Sequence, residues 1–174
     1  MDRVQASITM DTTRERFQHL LERHHGIVLK VAHSWCRHAE DRRDLAQEIR
    51  AQAWKAFPAY DDSRSFSTWM YRIALNVAIS FARSHGERAR QSVALDDSGV
   101  EPALDGDAAL ENDDGIRALY RCIAQLDPLN RALLLLYLDE RSQREIADIL
   151  GISETNVATR IGRLKQRLRN DFGT

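Results

Sequence analysis

Apolar side chains recur every three to four positions along most of this chain, the spacing that places them on one side of an α-helix. The first stripe is Phe17, Leu20, Leu21, His24, Val28, Val31, Ala32 and Trp35. Asp11, Thr12 and Thr13 stand just ahead of it and are residue types that cap free backbone amides, so a helix is predicted to open there. A second pattern runs from about Glu40 to Phe57, with Leu45, Ile49, Ala53 and Phe57 inward, and stops at Pro58. After a short polar loop, Pro58 to Arg64, a third pattern covers about Ser65 to Ser84, with Phe66, Trp69, Met70, Ile73, Val77 and Phe81 at helical spacing. Three amphipathic helices with short connections bury their stripes against one another, which predicts a bundle.

From His85 to Asp114 the periodicity stops, and Gly86, Gly99, Pro102, Gly106 and nine carboxylates replace it. This predicts a flexible acidic linker that could reach up to about 100 Å fully extended. Beyond it the pattern resumes as four helices. Ile116, Leu119, Tyr120 and Ile123 stripe the first; Asp127-Pro128 supplies an N-cap and a first-turn proline for the second, which carries Leu133, Leu134, Leu136 and Tyr137. Ser142 and Glu145 form a capping box that should start the third, and Gly151 is the residue type that ends such a helix in a left-handed cap without strain. Ser153 can cap the fourth, with Val157, Ile161, Leu164 and Leu168 inward. With few prolines and glycines and no alternating runs, the fold class is all-α: two small helical domains, 1–84 and 115–174, joined by the linker 85–114.

Charge sharpens this division. The net charge of −1 excludes nothing by itself, but residues 1–84 carry 13 basic and 10 acidic groups, 85–114 carry 2 and 9, and 115–174 carry 10 and 7. Two mildly basic parts flank an acidic middle, as in chains whose segments meet partners. Two cysteines, Cys36 and Cys122, are too few and too far apart for a disulfide framework or a CxxC metal knuckle, which suggests a reducing compartment. The first ten residues lack the apolar core of a signal peptide, and the longest apolar run, Ala132 to Leu138, is far short of the ~20 residues that span a bilayer, so a cytoplasmic protein is expected.

The strongest local signal is Ile146-Ala147, Leu150-Gly151-Ile152 and Val157, the spacing of a helix-turn-helix: a small residue where the second helix crosses, a glycine at the turn, apolar residues locking the angle. The second helix would enter a major groove with Thr155, Asn156, Thr159, Arg160 and Arg163 outward, Arg163 being placed for bidentate guanine readout. Five basic and no acidic residues between Arg160 and Arg169 favour a polyanion. Gly162 inside this helix costs about 1 kcal/mol relative to alanine, which a close approach of DNA would explain.

In the first block, seven of twelve aromatics fall between Trp54 and Phe81, interleaved with arginines, a composition suited to stacking on unpaired bases; Phe66, Trp69 and Phe81 also lie on the apolar stripe and suit the core. Beside that stripe runs a polar line, Thr68, Arg72, Asn76 and Arg83. Asp41, Asp44 and Glu48 share a helix face with Gln47 adjoining. No second carboxylate-rich helix completes a di-metal site, and Arg42 and Arg43 compete for the charge, so the face suits a protein partner better than catalysis. His33, Cys36 and His38 do not share one face and read as surface histidines beside a buried cysteine; no metal, cofactor or enzymatic chemistry is expected.

In this order the parts resemble the sigma-70 family of bacterial transcription initiation factors, and within it the extracytoplasmic-function group. Asp41-x-x-Asp44-Leu45-x-Gln47-Glu48 followed by Trp54 is similar to the family's polymerase-binding segment, and Phe66-Ser-Thr-Trp69-Met-Tyr71-Arg72-Ile-Ala-x-Asn76 to its promoter-melting helix. Leu126-Asp-Pro-x-x-Arg131 to Tyr137, then Glu145-Ile-Ala and Gly151-Ile-Ser to Leu168, is similar to its −35-binding domain. The resemblance implies that Asp41, Asp44, Leu45, Gln47 and Glu48 meet core RNA polymerase at the beta-prime clamp helices, with the beta flap as a further contact. It implies that Tyr60, Arg64, Thr68, Trp69, Arg72, Asn76 and Arg83 take the −10 strand, and that Thr155, Asn156, Ala158, Thr159, Arg160, Arg163 and Arg167 take the −35 duplex. It implies an acidic linker threading a basic polymerase channel, and an anti-sigma factor as a further partner. Ser80 for the family's usual aspartate and Asn156 for its usual threonine bear on which promoter sequence is preferred. Two other classes fit parts of the pattern: a stand-alone helix-turn-helix regulator, which would need a dimer seam that the sequence lacks, and a helical metal hydrolase, which would need bound metal.

Overall fold

Seven α-helices and one turn of 3-10 helix make up the described residues of this computed structural model, which are 2–92, 123 and 125–172 for the backbone and 12–84, 123 and 125–170 for the side chains. The first stripe forms two helices, α1 (Asp2–Arg23) and α2 (His25–Trp35), where the pattern predicts one. His24 leaves helical geometry at φ −115°, ψ 15°, and the His25 Nδ1–H donates to the Glu22 carbonyl at 2.7 Å, satisfying an acceptor that the break sets free. α1 also begins well before Asp11, so Asp11 to Thr13 lie inside a helix and do not cap one.

α3 (Ala39–Ala56) ends in the 3-10 turn Phe57–Ala59, because Pro58 has no N–H with which to continue the ladder. α4 (Phe66–Ser92) runs eight residues past Ser84, where the sequence pattern predicts its end, so 85–92 are helix and not linker. Glu87, Arg88, Ala89, Arg90 and Gln91 are good helix formers, and extending an existing helix costs much less than starting one. α2, α3 and α4 pack around Val28, Val31, Leu45, Ile49, Met70 and Leu75, all fully buried. At one end the rings of Phe57, Tyr60, Phe66 and Trp69 cluster with centroids 5.0–6.1 Å apart.

The second domain contains α5 (Pro128–Leu138), α6 (Gln143–Leu150) and α7 (Glu154–Phe172). Its punctuation follows the sequence. The Asp127 carboxylate accepts the Asn130 N–H, both halves of the Ser142–Glu145 capping box are made, and Gly151 adopts φ 67°, ψ 34°. The Ile152 N–H reaches back to the Ala147 carbonyl at 3.2 Å, the six-to-one bond of a Schellman cap, and so sets the turn into α7. Leu133, Leu136, Ile146 and Val157 form the core. Of the helix expected ahead of α5, residues 116–122 lie outside the described ones, as does 93–114, most of the expected linker.

The two domains touch, a contact that no periodicity predicts. α4 packs on α5 and α6, and α2 packs on α5. The polar centre of this seam is Asp139, at the C-cap of α5. It pairs with Lys30 of α2, accepts the Tyr71 hydroxyl of α4 at 2.9 Å, and has Arg141 Nε at 3.4 Å. Arg141 also lies over the Tyr71 ring, 5.2 Å from its centroid, and donates to the Ser67 hydroxyl at 3.2 Å. Nearby, the Arg131 guanidinium lies 5.6 Å from the Trp35 ring centroid. Burial alone would raise the Asp139 carboxyl, but the hydrogen bonds from Lys30 and Tyr71 and the charges of Lys30 and Arg141 hold it below the ordinary carboxylate value. Tyr71 shifts the opposite way, its hydroxyl raised by burial and by donating to Asp139. Among the described residues no helix is long and apolar enough to cross a membrane.

Candidate nucleic-acid interface

α3 presents two different faces. Asp44, Gln47 and Glu48 are exposed and Asp41 is half-buried, so these four form one acidic and amide surface. Leu45, expected to meet the polymerase, is instead at 0% exposure: it points into the bundle, where it fixes the rotation of α3 and cannot touch a partner. Glu48 accepts from the Gln52 amide at 2.7 Å, one turn along. Both line a cleft of about 520 Å³ between α3 and α4, floored by Ile73, Val77 and Phe81, with Asn76 and Ser80 on its other wall. The cleft makes the α3 surface continuous with the polar line of α4.

On that line Arg72, Asn76 and Arg83 are exposed and Thr68 is half-buried. Of the aromatics on the apolar stripe only Phe66 is core; Trp69 and Phe81, expected there with it, are half-buried, because they lie at the edge of the packed face. Tyr60 is half-buried too, its ring centroid 5.0 Å from that of Trp69 at the rim of the cluster. The Tyr60 hydroxyl donates to the Arg64 carbonyl at 2.7 Å, and the Asp61 carboxylate accepts from both the N–H and the hydroxyl of Ser63. Those bonds shape the Pro58–Arg64 loop and hold the Asp61 carboxyl below its ordinary value. Loop and helix therefore present an aromatic edge beside cationic side chains, an arrangement suited to unstacked bases and their phosphates.

In the second domain α7 buries Val157, Ile161 and Leu164 against α5 and α6, leaving Thr155, Asn156, Ala158, Thr159, Arg163 and Arg167 exposed. The Thr159 hydroxyl donates to the Thr155 carbonyl at 2.9 Å. Arg163 makes no hydrogen bond or ion pair among the described residues. Arg160 differs from its neighbours: it is half-buried, and its guanidinium bonds Asn156 and Asn130. A Cβ at Gly162 would meet no atom within 4 Å. Gly162→Ala should therefore stabilise the chain by about 0.5–1 kcal/mol in a thermal melt while weakening duplex binding, if DNA backbone comes close there. Stabilisation with unchanged binding would show that this side of α7 stays clear of DNA.

Cys36 is buried, and burial together with Asp41 pushes its thiol up to about 11, while His33 and His38 are exposed. Among the described residues no group of three His, Cys, Asp or Glu side chains could hold a metal ion.

The sequence matches the family models for Sigma-70 region 2 over residues 20–88 and Sigma-70 region 4 over residues 116–168. It is 27% identical over 173 residues to the ECF RNA polymerase sigma factor SigW of Bacillus subtilis, covering 91% of this chain and 90% of that one. The chain belongs to the sigma-70 family, in its extracytoplasmic-function group. A second relative, the "Probable RNA polymerase sigma factor RfaY" of Xanthomonas campestris, is 31% identical over 154 residues, 83% of this chain but only 37% of the length of that protein. The fold resembles that of the sigma factor RpoE of Bartonella quintana, solved with the anti-sigma factor NepR, at a TM-score of 0.68 and 21% identity over 90% of this chain and 96% of that one. This sigma factor is thus a DNA-binding transcription initiation factor and not an enzyme. Sequence reasoning missed Lys30, Tyr71, Asp139 and Arg141, because a contact between two separately patterned blocks leaves no periodic trace. The tie between Arg160 and Asn130 has no local signal either, since its partners lie 30 residues apart.

Proposed function

We propose that the first domain, residues 1–84, docks this sigma factor on the beta-prime clamp helices of core RNA polymerase through Asp41, Asp44, Gln47 and Glu48. The same domain holds the melted −10 strand through Tyr60, Arg64, Thr68, Trp69, Arg72, Asn76 and Arg83. The second domain, residues 115–174, reads the −35 duplex through α7 and meets the beta flap, and the acidic segment 85–114 occupies a basic polymerase channel between them. The observation that carries this reading is the cleft between α3 and α4: Glu48 and Asn76 line one surface, so docking and strand capture are neighbours on one rigid bundle. No covalent step is required. Extruding a base costs a few kcal/mol, which stacking and phosphate contacts offset.

Elements centred at −35 and −10 lie about 25 base pairs apart, or roughly 85 Å at 3.4 Å per pair. Two domains in direct contact cannot span that distance, so reading both elements requires the Asp139 seam to open; residues 93–114 fully extended would reach roughly 75 Å and the last eight residues of α4 add about 12 Å, which together are enough. The closed arrangement suits storage of the free protein in the cytoplasm, and an anti-sigma factor is the natural partner to hold it there, as NepR is bound to RpoE of Bartonella quintana.

The deciding experiment combines the purified chain with a bacterial core polymerase and follows co-elution and promoter-dependent transcript formation. Both are expected. Tight duplex binding by the chain alone, with neither co-elution nor transcript, would favour a stand-alone regulator. Within that assay Arg163→Ala should cost about 1–3 kcal/mol of discrimination at a single −35 position. An equal loss on specific and random duplexes would make Arg163 a phosphate contact.

A further inference from the structure

We propose that Arg160 is a positioning residue: it locks the side-chain amide of Asn156 so that the Nδ2 hydrogens, as donors, are what this position offers to DNA. The inference rests on the assignment of α7 as the −35 reader.

Arg160 of α7 donates in two directions, to an amide oxygen on α5 and to another one turn back on α7. The Asp127 carboxylate, already accepting the Asn130 N–H at 3.1 Å, also accepts from Asn130 Nδ2. That fixes which end of the Asn130 amide is oxygen, and the oxygen accepts Arg160 Nη1 at 3.3 Å. Arg160 Nε then donates to Asn156 Oδ1 at 2.9 Å. A guanidinium has donors only, so it can pair with the oxygen of each amide and with neither nitrogen; flipping Asn156 would set N–H against N–H. Asn156 is exposed, and its Nδ2 makes no hydrogen bond among the described residues. Arg160, by contrast, is half-buried and already engaged on two sides.

Reading adenine with asparagine needs both ends of the amide, oxygen to the N6 amino group and nitrogen to N7. With Oδ1 turned to Arg160, what Asn156 presents outward is its donor. Guanine offers two acceptors on its major-groove edge, adenine and thymine one each, and cytosine only a donor. A phosphate oxygen would satisfy the same donor without base preference.

The test uses holoenzyme bound to promoter duplexes randomised across the −35 element, over a range of salt, for wild type, Asn156→Ala, Arg160→Met, Arg160→Lys and Asn156→Ala combined with Arg160→Met. Wild type should disfavour cytosine at one position, and Arg160→Met should reduce that preference about three- to tenfold. If the acceptor is a phosphate, both single variants should instead weaken all sequences by one common factor. In either case Arg160→Lys should behave like Arg160→Met although it keeps the charge, and Arg160→Met should add nothing once Asn156 is alanine. Either pattern supports the proposal. It is overturned if Arg160→Lys behaves as wild type, or if the Arg160→Met effect persists undiminished in the Asn156→Ala background and lowers the salt slope by about 0.9, as loss of a direct phosphate contact would. If Arg160→Met fails to fold in a thermal melt, the lysine variant carries the comparison. A wild-type holoenzyme with no −35 preference at all would overturn the assignment of α7 itself, a result visible before any variant is compared.

Discussion

Asp139→Ala should release the two domains of the free sigma factor from each other. Asp139 gathers Lys30 and the Tyr71 hydroxyl from the first domain and Arg141 from its own, with its side chain only 18% exposed. Removing it leaves the Tyr71 hydroxyl without its acceptor and Arg141 without its ion-pair partner in a region that water reaches poorly, although Arg141 still donates to Ser67 and Glu145. An unsatisfied buried donor costs ~1–3 kcal/mol, more when charged. The Lys30 pair adds little, because that side chain is half exposed and screened. A loss of about 2–3 kcal/mol from the seam corresponds to roughly a 30- to 150-fold shift toward separated domains. Small-angle scattering or distance measurements between labels on α3 and α7 would report it. Each domain should keep its own fold, since the Lys30 and Tyr71 bonds are made across the seam. Unchanged separation would mean that apolar packing alone closes the molecule.

The same seam carries a pH dependence whose sign follows from its ionisable groups. The Asp139 carboxyl is held below its ordinary value, so its contribution is complete above about pH 4 and fades only as acid protonates it. His24, against the Phe66 ring, is lowered from 6.5 by burial and by the charges of Arg23 and Arg141. Burial and Arg23 act on it within the first domain and only Arg141 reaches it from the second, so as pH falls below 6.5 protonation of His24 should weaken chiefly the first domain, with repulsion from Arg141 a small addition at the seam. A thermal melt unchanged between pH 7.5 and 5.5 would remove His24 from this account.

Gln47→Ala combined with Glu48→Ala should weaken binding to core polymerase by one to three orders of magnitude while leaving the thermal melt within about 1 kcal/mol of wild type. Both side chains are exposed on α3, where truncation disturbs no core packing. Interface energy concentrates in few residues, and about 2–4 kcal/mol is expected when central ones are removed. Leu45→Ala is the contrasting control. At 0% exposure it should cost about 2–5 kcal/mol of stability, and reduce polymerase binding only as far as the bundle unfolds. Polymerase affinity unchanged by the double substitution would remove the exposed face of α3 from the docking surface.

The contrast between Leu45 and its neighbours shows where pattern reading ends. Leu45, Gln47 and Glu48 stand together in one motif, and a motif records that residues matter without recording which way each one points. Helical phase separates them: Leu45 shares the stripe of Ile49 and Ala53 and belongs to the core, whereas Gln47 and Glu48 fall between such positions. The break at His24 was hidden for a related reason. The stripe runs through it without losing register, and a single residue leaving helical geometry changes the chain direction without changing the spacing of apolar residues. The continuation of α4 to Ser92 was hidden because the residues from Gly86 to Ser92 carry no apolar stripe to reveal it.

What the sequence determined alone is what depends on neighbours within a turn or two. The all-helical class, the Asp127 and Ser142 caps, the left-handed Gly151 and the outward face of α7 are local consequences of residue type and of the 3.6-residue period. What only the tertiary structure decided is what joins residues far apart in the chain. Tyr71 and Asp139 are 68 positions apart, and Lys30 and Asp139 are 109 apart. A polar pair of that kind has no period, and its partners are ordinary surface residues until the two bundles meet. The same holds within the second domain, where Arg160 reads in sequence as one more cation on a DNA-facing helix; Asn156 is one turn away on α7 itself, but only the packing of α5 against α7 brings Asn130 to it.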